Sequence, residues 1–477
     1  MKAIRRFFVR IRFGTDGWRG VIAREFTFDN LSLVAQATMD YFMEQGLAEK
    51  GLVIGYDRRF LSRRFAERAG EVAAGNGIRV FLTDGYAPTP AVSWAVKERG
   101  AGGGIMITAS HNPPEYNGFK IKEFFGGSAR PSTTKVVEEI VARNQADGRV
   151  IRETPLDTAL RDGMVELFDA GEPYRHQLAR YVDLERIRSA AIPAVVDTMF
   201  GAGSGFFPLL LPGTTEIHSE ENPGFQGCPP EPTPEHLEEL SGLLQSGRYL
   251  VGLALDGDAD RIGAVDETGE FFSSHRIFTV VLRHLLERRG MRGGVVKTVS
   301  TTRMVDLLSG KFGLELYETP IGFKHICELM LDHDILMGGE ESGGLGVKGH
   351  IPERDGILLG LLLLEAVAMS GKGLRRLLEE TMDEIGHFSY RRIDLPIDNG
   401  AKERLIEKLR AGGARTIASR PVAGENFRDG FKYLFADGAW LLIRPSGTEP
   451  VLRLYSEAGD PGTVEELLRA GREMAGL

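Results

Sequence analysis

Cysteine is scarce: Cys228 and Cys327 are the only two in 477 residues, and they stand far apart. That argues against a disulfide framework or a cysteine-based zinc site and leaves two reduced thiols. Long apolar runs are missing too. The longest, Ile357 to Leu364 continued by Ala366-Val367-Ala368-Met369, is shorter than the ~20 residues of a membrane span, so a buried helix is expected. Met1 to Arg12 interleaves Arg with Phe, Val and Ile, without an apolar core or cleavage site. No signal peptide is therefore expected, and a cytoplasmic location is. Positive charge is not in excess: 58 Lys and Arg against 67 Asp and Glu leave a formal charge of −9. Such a balance argues against nucleic acid as the main partner, whereas an anionic small molecule fits a locally basic cleft on an acidic protein. A P-loop lysine motif and a G-x-S-x-G elbow are also absent, which removes two common phosphate and acyl-transfer solutions.

What is present is glycine, 60 residues of it, well above the usual ~7% and without period. The glycines cluster in loops that follow short apolar runs, where backbone must approach a ligand closely. The length suggests three or four domains. Along the chain, Gly14-Thr15-Asp16-Gly17-Trp18-Arg19-Gly20 is either a tight turn or a loop carrying a functional Arg19. An amphipathic helix is expected from Asn30 to Tyr41, and a strand at Gly51-Leu52-Val53-Ile54-Gly55 that runs into Tyr56-Asp57-Arg58-Arg59. A helix from Ser62 to Ala74, a strand from Ile78 to Leu82 and a helix ending at Lys97 complete an α/β pattern. The pattern restarts at Ile192 to Asp197 and again at Gly294 to Lys297, so one α/β unit is used three times. Residues Asp147 to Glu172 are polar and loosely patterned and read as a linker. After Phe388 a smaller α+β unit is expected, with strands at Tyr390 to Leu395 and Trp440 to Ile443 and a helix from Lys402 to Leu409. The expected domains are 1–160, 161–288, 289–386 and 387–477.

Each unit carries one chemically loaded loop. In the first, Gly102-Gly103-Gly104-Ile105-Met106-Ile107 leads into Thr108-Ala109-Ser110-His111-Asn112-Pro113. His111 adjoins Ser110 and so does not face it as a hydrolase base would. In the second, Asp256, Asp258 and Asp260 follow Val251 to Leu255. Carboxylates at i, i+2 and i+4 converge and repel unless a hard divalent cation lies among them, and Mg²⁺ is the natural occupant. Arg261 stands where an EF-hand needs glycine, so that loop type is rejected; Arg261 balances charge or grips phosphate. Beside such a loop, Ser110 makes better sense as a phosphoryl carrier than as a base-activated nucleophile. In the third, Gly339-Glu340-Glu341-Ser342-Gly343-Gly344 offers acceptors for sugar hydroxyls in Glu340 and Ser342. Gly344-Leu345-Gly346-Val347-Lys348-Gly349 with Glu365 mimics a dinucleotide fingerprint, but the strand ends before it and His350 to Arg354 separate the glycines from the next helix. Near the C-terminus, Arg444-Pro445-Ser446-Gly447-Thr448-Glu449-Pro450 is either a phosphate cradle or a hydrogen-bonded turn.

Taken together, the four motifs resemble the α-D-phosphohexomutase superfamily, which includes phosphoglucomutases and phosphomannomutases, over essentially the full chain. The resemblance implies three similar mixed α/β domains and a C-terminal α+β, TATA-binding-protein-like domain around one central cleft. It implies that Ser110 is the phosphoserine and that Asp256, Asp258 and Asp260 bind one Mg²⁺ together with a Ser110 phosphate oxygen. Glu340 and Ser342 would contact the sugar, and Arg444, Ser446, Gly447 and Thr448 the non-reacting phosphate. Arg19, Lys120 and Lys297 match basic positions that line the family's cleft, and Arg261 is expected among the substrate-binding residues. The implied reaction interconverts hexose 1- and 6-phosphates through a hexose 1,6-bisphosphate, which also serves as activator. Some members carry His directly after the third motif's Ser-Gly; here that position is Gly344. His350, in His350-Ile351-Pro352-Glu353-Arg354-Asp355-Gly356, or Lys120 would then supply the acid/base, and His111 and Arg19 are counted with them among the catalytic candidates. The sugar leans towards glucose, with mannose and glucosamine phosphates as alternatives. A metal-dependent sugar phosphatase and a non-catalytic sugar-phosphate binder are the readings from other classes. Partners are expected to be small hexose phosphates only, with no nucleic acid or membrane, on a monomer or homodimer.

Overall fold

A computed structural model describes residues 11–14, 16–412, 414–446 and 450–477. Residues 1–10, where no signal peptide was expected, and the expected phosphate contacts Gly447 and Thr448 lie outside the described residues.

The first sheet contains β1 (Trp18–Val21), β2 (Leu52–Tyr56), β3 (Val80–Thr83), β4 (Gly103–Ile107), β5 (Tyr116–Glu123) and β6 (Val165–Phe168), in the order β1-β5-β4-β2-β3-β6. The second contains β7 (Ala194–Asp197), β8 (Thr215–Ile217), β9 (Val251–Leu255), β10 (Ile262–Val265) and β11 (Phe271–Phe272), ordered β11-β10-β9-β7-β8. The third contains β12 (Gly294–Thr298), β13 (Leu316–Thr319), β14 (Ile335–Gly339) and β15 (Leu345–Val347), ordered β13-β12-β14-β15. Inside each lies the same four-strand unit. Its first strand sits between two parallel neighbours, and the third strand turns back into an antiparallel fourth: β4 into β5, β9 into β10, β14 into β15. The inner parallel strands β2, β4, β7, β9, β12 and β14 are buried along their whole length, as strands covered by helices on both faces require.

This repeated topology positions the loaded loops. The Ser110 loop joins β4 to β5, the aspartate loop joins β9 to β10, and the Glu340 loop joins β14 to β15. All three occupy the carboxyl end of the third strand, the end of an α/β sheet at which ligands bind.

The stretch expected to be a linker is not one. It holds a helix at Leu156–Arg161 and β6, which pairs parallel with β3 and closes the first sheet. β6 is four residues long, buried at its ends and open at its two middle positions, too short a signal for sequence periodicity to separate from a loop.

The fourth unit is antiparallel: β16 (Ser389–Pro396), β17 (Thr416–Ile417), β18 (Arg420–Asn426), β19 (Phe431–Phe435), β20 (Trp440–Pro445) and β21 (Val451–Ala458), ordered β16-β21-β20-β19-β18-β17. Helices Asn399–Ala411 and Pro461–Ala475 pack with it around Leu405, Tyr433, Leu441, Leu454 and Leu467.

The apolar run at 357–369 forms the helix Gly356–Ser370, buried from Gly356 to Ala368. It starts at Asp355, whose carboxylate accepts the Leu358 N–H at 2.8 Å, and ends at Gly371 with φ 70°. It packs on β9 and β10 and on the helix Ser274–Glu287, joining the second and third units in one continuous apolar core. Among the described residues no single helix is long and apolar enough to cross a membrane; this helix and Leu374–Ile385 pass together but are bent by 80°.

Candidate active site

Ser110 lies at the exit of β4 with φ 55° and no exposed surface. Its Oγ donates to Asp256 Oδ2 at 2.7 Å, so the first loop meets the second directly. Close approach of the two backbones requires Gly257: a β-carbon there would stand 2.5 Å from the Ser110 carbonyl oxygen. Ala259, between the second and third aspartates, is also left-handed at φ 57°, which curls the loop so that its carboxylates converge. Oxygens of Asp256, Asp258 and Asp260 lie within 4.8 Å of one another, and all three residues are fully buried. Asp258 Oδ1 and Asp260 Oδ1 have no hydrogen-bond partner. Buried carboxylate oxygens left without donors are costly. Three such groups at one point, with two orphaned oxygens, fit a hard divalent cation.

Cations of this chain surround the cluster. Lys120, on β5, donates to Asp258 Oδ2 at 2.8 Å and Asp260 Oδ2 at 3.0 Å, and pairs with Asp16 at 2.9 Å. Burial works against its charge, but Asp16, Asp258 and Asp260 outweigh it and hold the ammonium well above its ordinary range. Asp258 is held low: burial raises it, and Lys120 and Thr89 more than compensate, the Thr89 hydroxyl donating at 2.5 Å. Asp256 is pushed up, first by burial and then by the charges of Asp258 and Asp260. Arg354 donates to Asp16 and pairs with Asp260 at 2.8 Å. A β-carbon on Gly344 would lie 2.3 Å from Arg354 Cδ, so the arginine fills the space over that glycine.

The remaining expected residues divide into those that join this cluster and those that do not. His111 Nδ1 is 3.4 Å from Ser110 Oγ, and burial followed by Arg261, Arg19, Lys120 and Arg59 holds the imidazole low. Arg19 donates to Asn112 Oδ1 of the serine loop. Arg261 gives its N–H to Asp256 Oδ1 at 3.1 Å and sends its side chain between Asp260 and Glu231. Glu340 Oε1 accepts the Gly322 N–H at 2.9 Å; burial pushes its carboxyl up against the pull of Arg354 and Arg261. Ser342 stands partly exposed in the same turn.

Four sit elsewhere. Lys297 is buried against Asp306 and the carbonyls of Thr301 and Thr302. Arg444 donates to Asp429 Oδ1 at 3.0 Å, and Asp429 in turn accepts the Ile321 N–H at 2.9 Å, tying the fourth unit to the third. Ser446 is buried beyond the end of β20, its N–H on Val451 O and its carbonyl accepting Lys402 Nζ. His350 does not reach the cluster. Its Nε2 donates to Asp355 Oδ2 at 2.8 Å, and its ring lies among Trp94, Tyr174 and Tyr181. Asp355 also accepts the Tyr174 hydroxyl at 2.7 Å, so the imidazole completes a buried structural network.

Sequence reasoning passed over Asp16, Thr89 and Arg354. Asp16 lies in the glycine-punctuated loop singled out for Arg19, and Arg354 in the segment singled out for His350. In each case the chemistry was visible and the partner was not.

Family models for phosphoglucomutase/phosphomannomutase match throughout: α/β/α domain I at residues 10–147, domain II at 172–269, domain III at 273–385 and the C-terminal domain at 398–473. The chain belongs to the phosphoglucomutase/phosphomannomutase family. Membership makes the protein an isomerase of the phosphohexomutase kind. A Thermococcus kodakarensis protein named phosphoglucomutase/phosphomannomutase is 30% identical over 463 residues, covering 96% of this chain and 97% of its own. A Methanothermobacter thermautotrophicus relative, named a probable phosphoglucosamine mutase, is also 30% identical, over 96% of this chain and 95% of its own. The structure of a candidate phosphomannomutase from Thermus thermophilus superposes with TM-score 0.85 at 36% identity, covering 98% of this chain and all of that one.

Proposed function

We propose that this phosphohexomutase interconverts hexose 1-phosphate and hexose 6-phosphate, with glucose phosphates preferred, through a phosphoserine at Ser110 and a hexose 1,6-bisphosphate that also acts as activator. The observation that carries the reading is the 2.7 Å contact of Ser110 Oγ with Asp256 inside a buried three-aspartate cluster. Asp256, Asp258 and Asp260 are the residues we assign to hold Mg²⁺, which supplies positive charge for a phosphoryl group in transit.

In the first half-reaction a sugar hydroxyl oxygen bonds to phosphorus as the Ser110 Oγ–P bond breaks, and the proton lost by the hydroxyl is matched by the one Oγ regains. The second half runs in reverse from the other end of the sugar. Lys120, held as the charged ammonium by Asp16, Asp258 and Asp260, is the side chain we assign as the acid of that exchange; a cation taking over Asp258 and Asp260 would lower its hold on the proton. Glu340 and Ser342 are assigned to the sugar hydroxyls, Arg19, Arg261 and Lys297 to the walls of the cleft, and Arg444, Ser446, Gly447 and Thr448 to the phosphate that is not reacting. Glucose preference is drawn from the Glu340 to Gly344 and His350 to Gly356 motifs; relatives near 30% identity carry glucose, mannose and glucosamine names.

Ser110→Ala is expected to lower conversion of glucose 1-phosphate to glucose 6-phosphate by about a thousandfold or more, the scale of losing a covalent nucleophile. A coupled dehydrogenase assay with Mg²⁺ and a trace of bisphosphate reads this, and glucose, mannose and glucosamine 1-phosphates run in parallel read the preference. Retained turnover in the variant would overturn the assignment of Ser110. Steady release of inorganic phosphate by the wild type without isomerised sugar would point to a phosphatase.

A further inference from the structure

Arg59 follows β2, distant in sequence from the serine loop, yet its side chain is wholly buried beneath that loop. Its Nη2 donates to Ser110 O at 2.7 Å and Asn112 O at 2.5 Å, and its Nη1 to Pro113 O at 2.8 Å and Tyr116 O at 3.1 Å. Nε faces Asp57 Oδ2 at 3.4 Å. Phe225, from the second unit, covers the guanidinium with its ring centre 5.0 Å from Cζ. Only a planar fork with several N–H groups can satisfy carbonyls arranged this way; an ammonium presents three donors from one point.

We infer that Arg59 is a positioning residue for phosphoryl transfer, capped by Phe225, that holds Ser110 in the left-handed backbone from which Oγ reaches the aspartates. Four carbonyls of a tight loop aimed at one point repel each other unless a cation lies among them, so the guanidinium sets the shape of the loop as well as filling space. The aspartate loop is held from the same side. Pro230, close after Phe225, accepts the Gly257 N–H at 3.2 Å. The 222–230 segment therefore touches both the clamp on the serine loop and the backbone of the aspartate loop.

The inference rests on Ser110 as phosphoryl carrier and is tested on the full chain, with Mg²⁺ and glucose 1,6-bisphosphate as probes. For Arg59→Lys we expect kcat to fall about 100-fold with KM within threefold, because substrate contacts are intact and the transferring oxygen is misplaced. For Arg59→Ala we expect added guanidinium ion to restore activity at least tenfold. A kcat for Arg59→Lys within threefold of wild type, or a thermal midpoint that drops while kcat holds, would overturn the positioning role. Should the Arg59 variants fail to fold, Phe225→Leu keeps the carbonyl bonds and loses the lid; a five- to tenfold lower kcat at unchanged KM supports the proposal, and an unchanged kcat overturns it. Phosphate on Ser110, read by intact mass, separates the two questions. Absence of phosphate from the wild type after incubation with Mg²⁺ and glucose 1,6-bisphosphate refutes the carrier, whereas wild-type phosphorylation with unimpaired Arg59 and Phe225 variants refutes only the clamp.

Discussion

Ser110 at φ 55° occupies a backbone region that costs a residue with a β-carbon about 1–3 kcal/mol. The surroundings that enforce it are specific: Arg59 beneath the carbonyl, Gly257 against it, Asp256 on the hydroxyl. His350 shows the opposite case, a residue whose chemistry suggested proton transfer and whose partners make it structural. Its imidazole bonds Asp355, which already caps a helix and accepts Tyr174. Replacing His350 with Gln is expected to cost about 1–3 kcal/mol, the scale of a disrupted buried hydrogen bond, and to leave kcat within threefold. Thermal melting alongside the mutase assay tests this. A large fall in kcat with an unmoved melting temperature would make His350 a proton carrier after all.

At the level of elements, the decisive feature is the antiparallel return after the third parallel strand, made three times. Each return places a short polar loop at the carboxyl end of the sheet, and sequence alone located all three loops because each follows an unmistakable apolar run. Contacts between the loops were less accessible. Arg354, in the turn before the core helix, crosses to Asp16 of the first unit and Asp260 of the second, and is packed over Gly344 of the third. Gly344→Ala should therefore act by displacing Arg354, lowering kcat/KM at least tenfold. In a double-mutant cycle, adding Gly344→Ala to Arg354→Ala should bring little further loss, because the space is then vacant. Additive losses would show that the two positions act independently.

Across the whole molecule, the second and third units are not separate bodies, since one apolar core runs through both. Glu365 lies in that seam. It accepts His284 Nε2 at 2.7 Å and the Asp183 N–H at 2.8 Å, which makes it a structural acceptor and not a ribose contact. Burial pushes its carboxyl up, but His284, the Asp183 amide and Arg289 outweigh that and hold it below its ordinary value of 4.5. A carboxylate depressed by folding contributes stability in full above its unfolded pKa and loses it as pH falls through the folded one. Glu365→Gln should consequently melt earlier than wild type at neutral pH and lose less on acidification below about pH 4.5. Thermal midpoints followed from neutral pH to about pH 3 would show converging curves; parallel curves would refute the linkage.

Much of the fold and part of the site were legible because strong local signals carried them. Apolar runs of strand length, a helix apolar on nearly all sides and aspartates at alternate positions each state their preference without help from distant residues. The edge strand β6 was not legible, because four residues without a clear period become a strand only when β3 supplies the partner. Sequence by itself determined the repeated α/β units, the four loaded loops and the residue types offered for phosphoryl chemistry. Tertiary structure alone decided which charges meet: Lys120 with three aspartates, Arg354 with Asp16 and Asp260, Arg59 with the serine loop, and His350 with Asp355. The physical reason is range. Hydrophobic period and backbone preference act between near neighbours, whereas the pairing of buried charges depends on which strand ends the folded sheets bring together, and no local pattern encodes that distance.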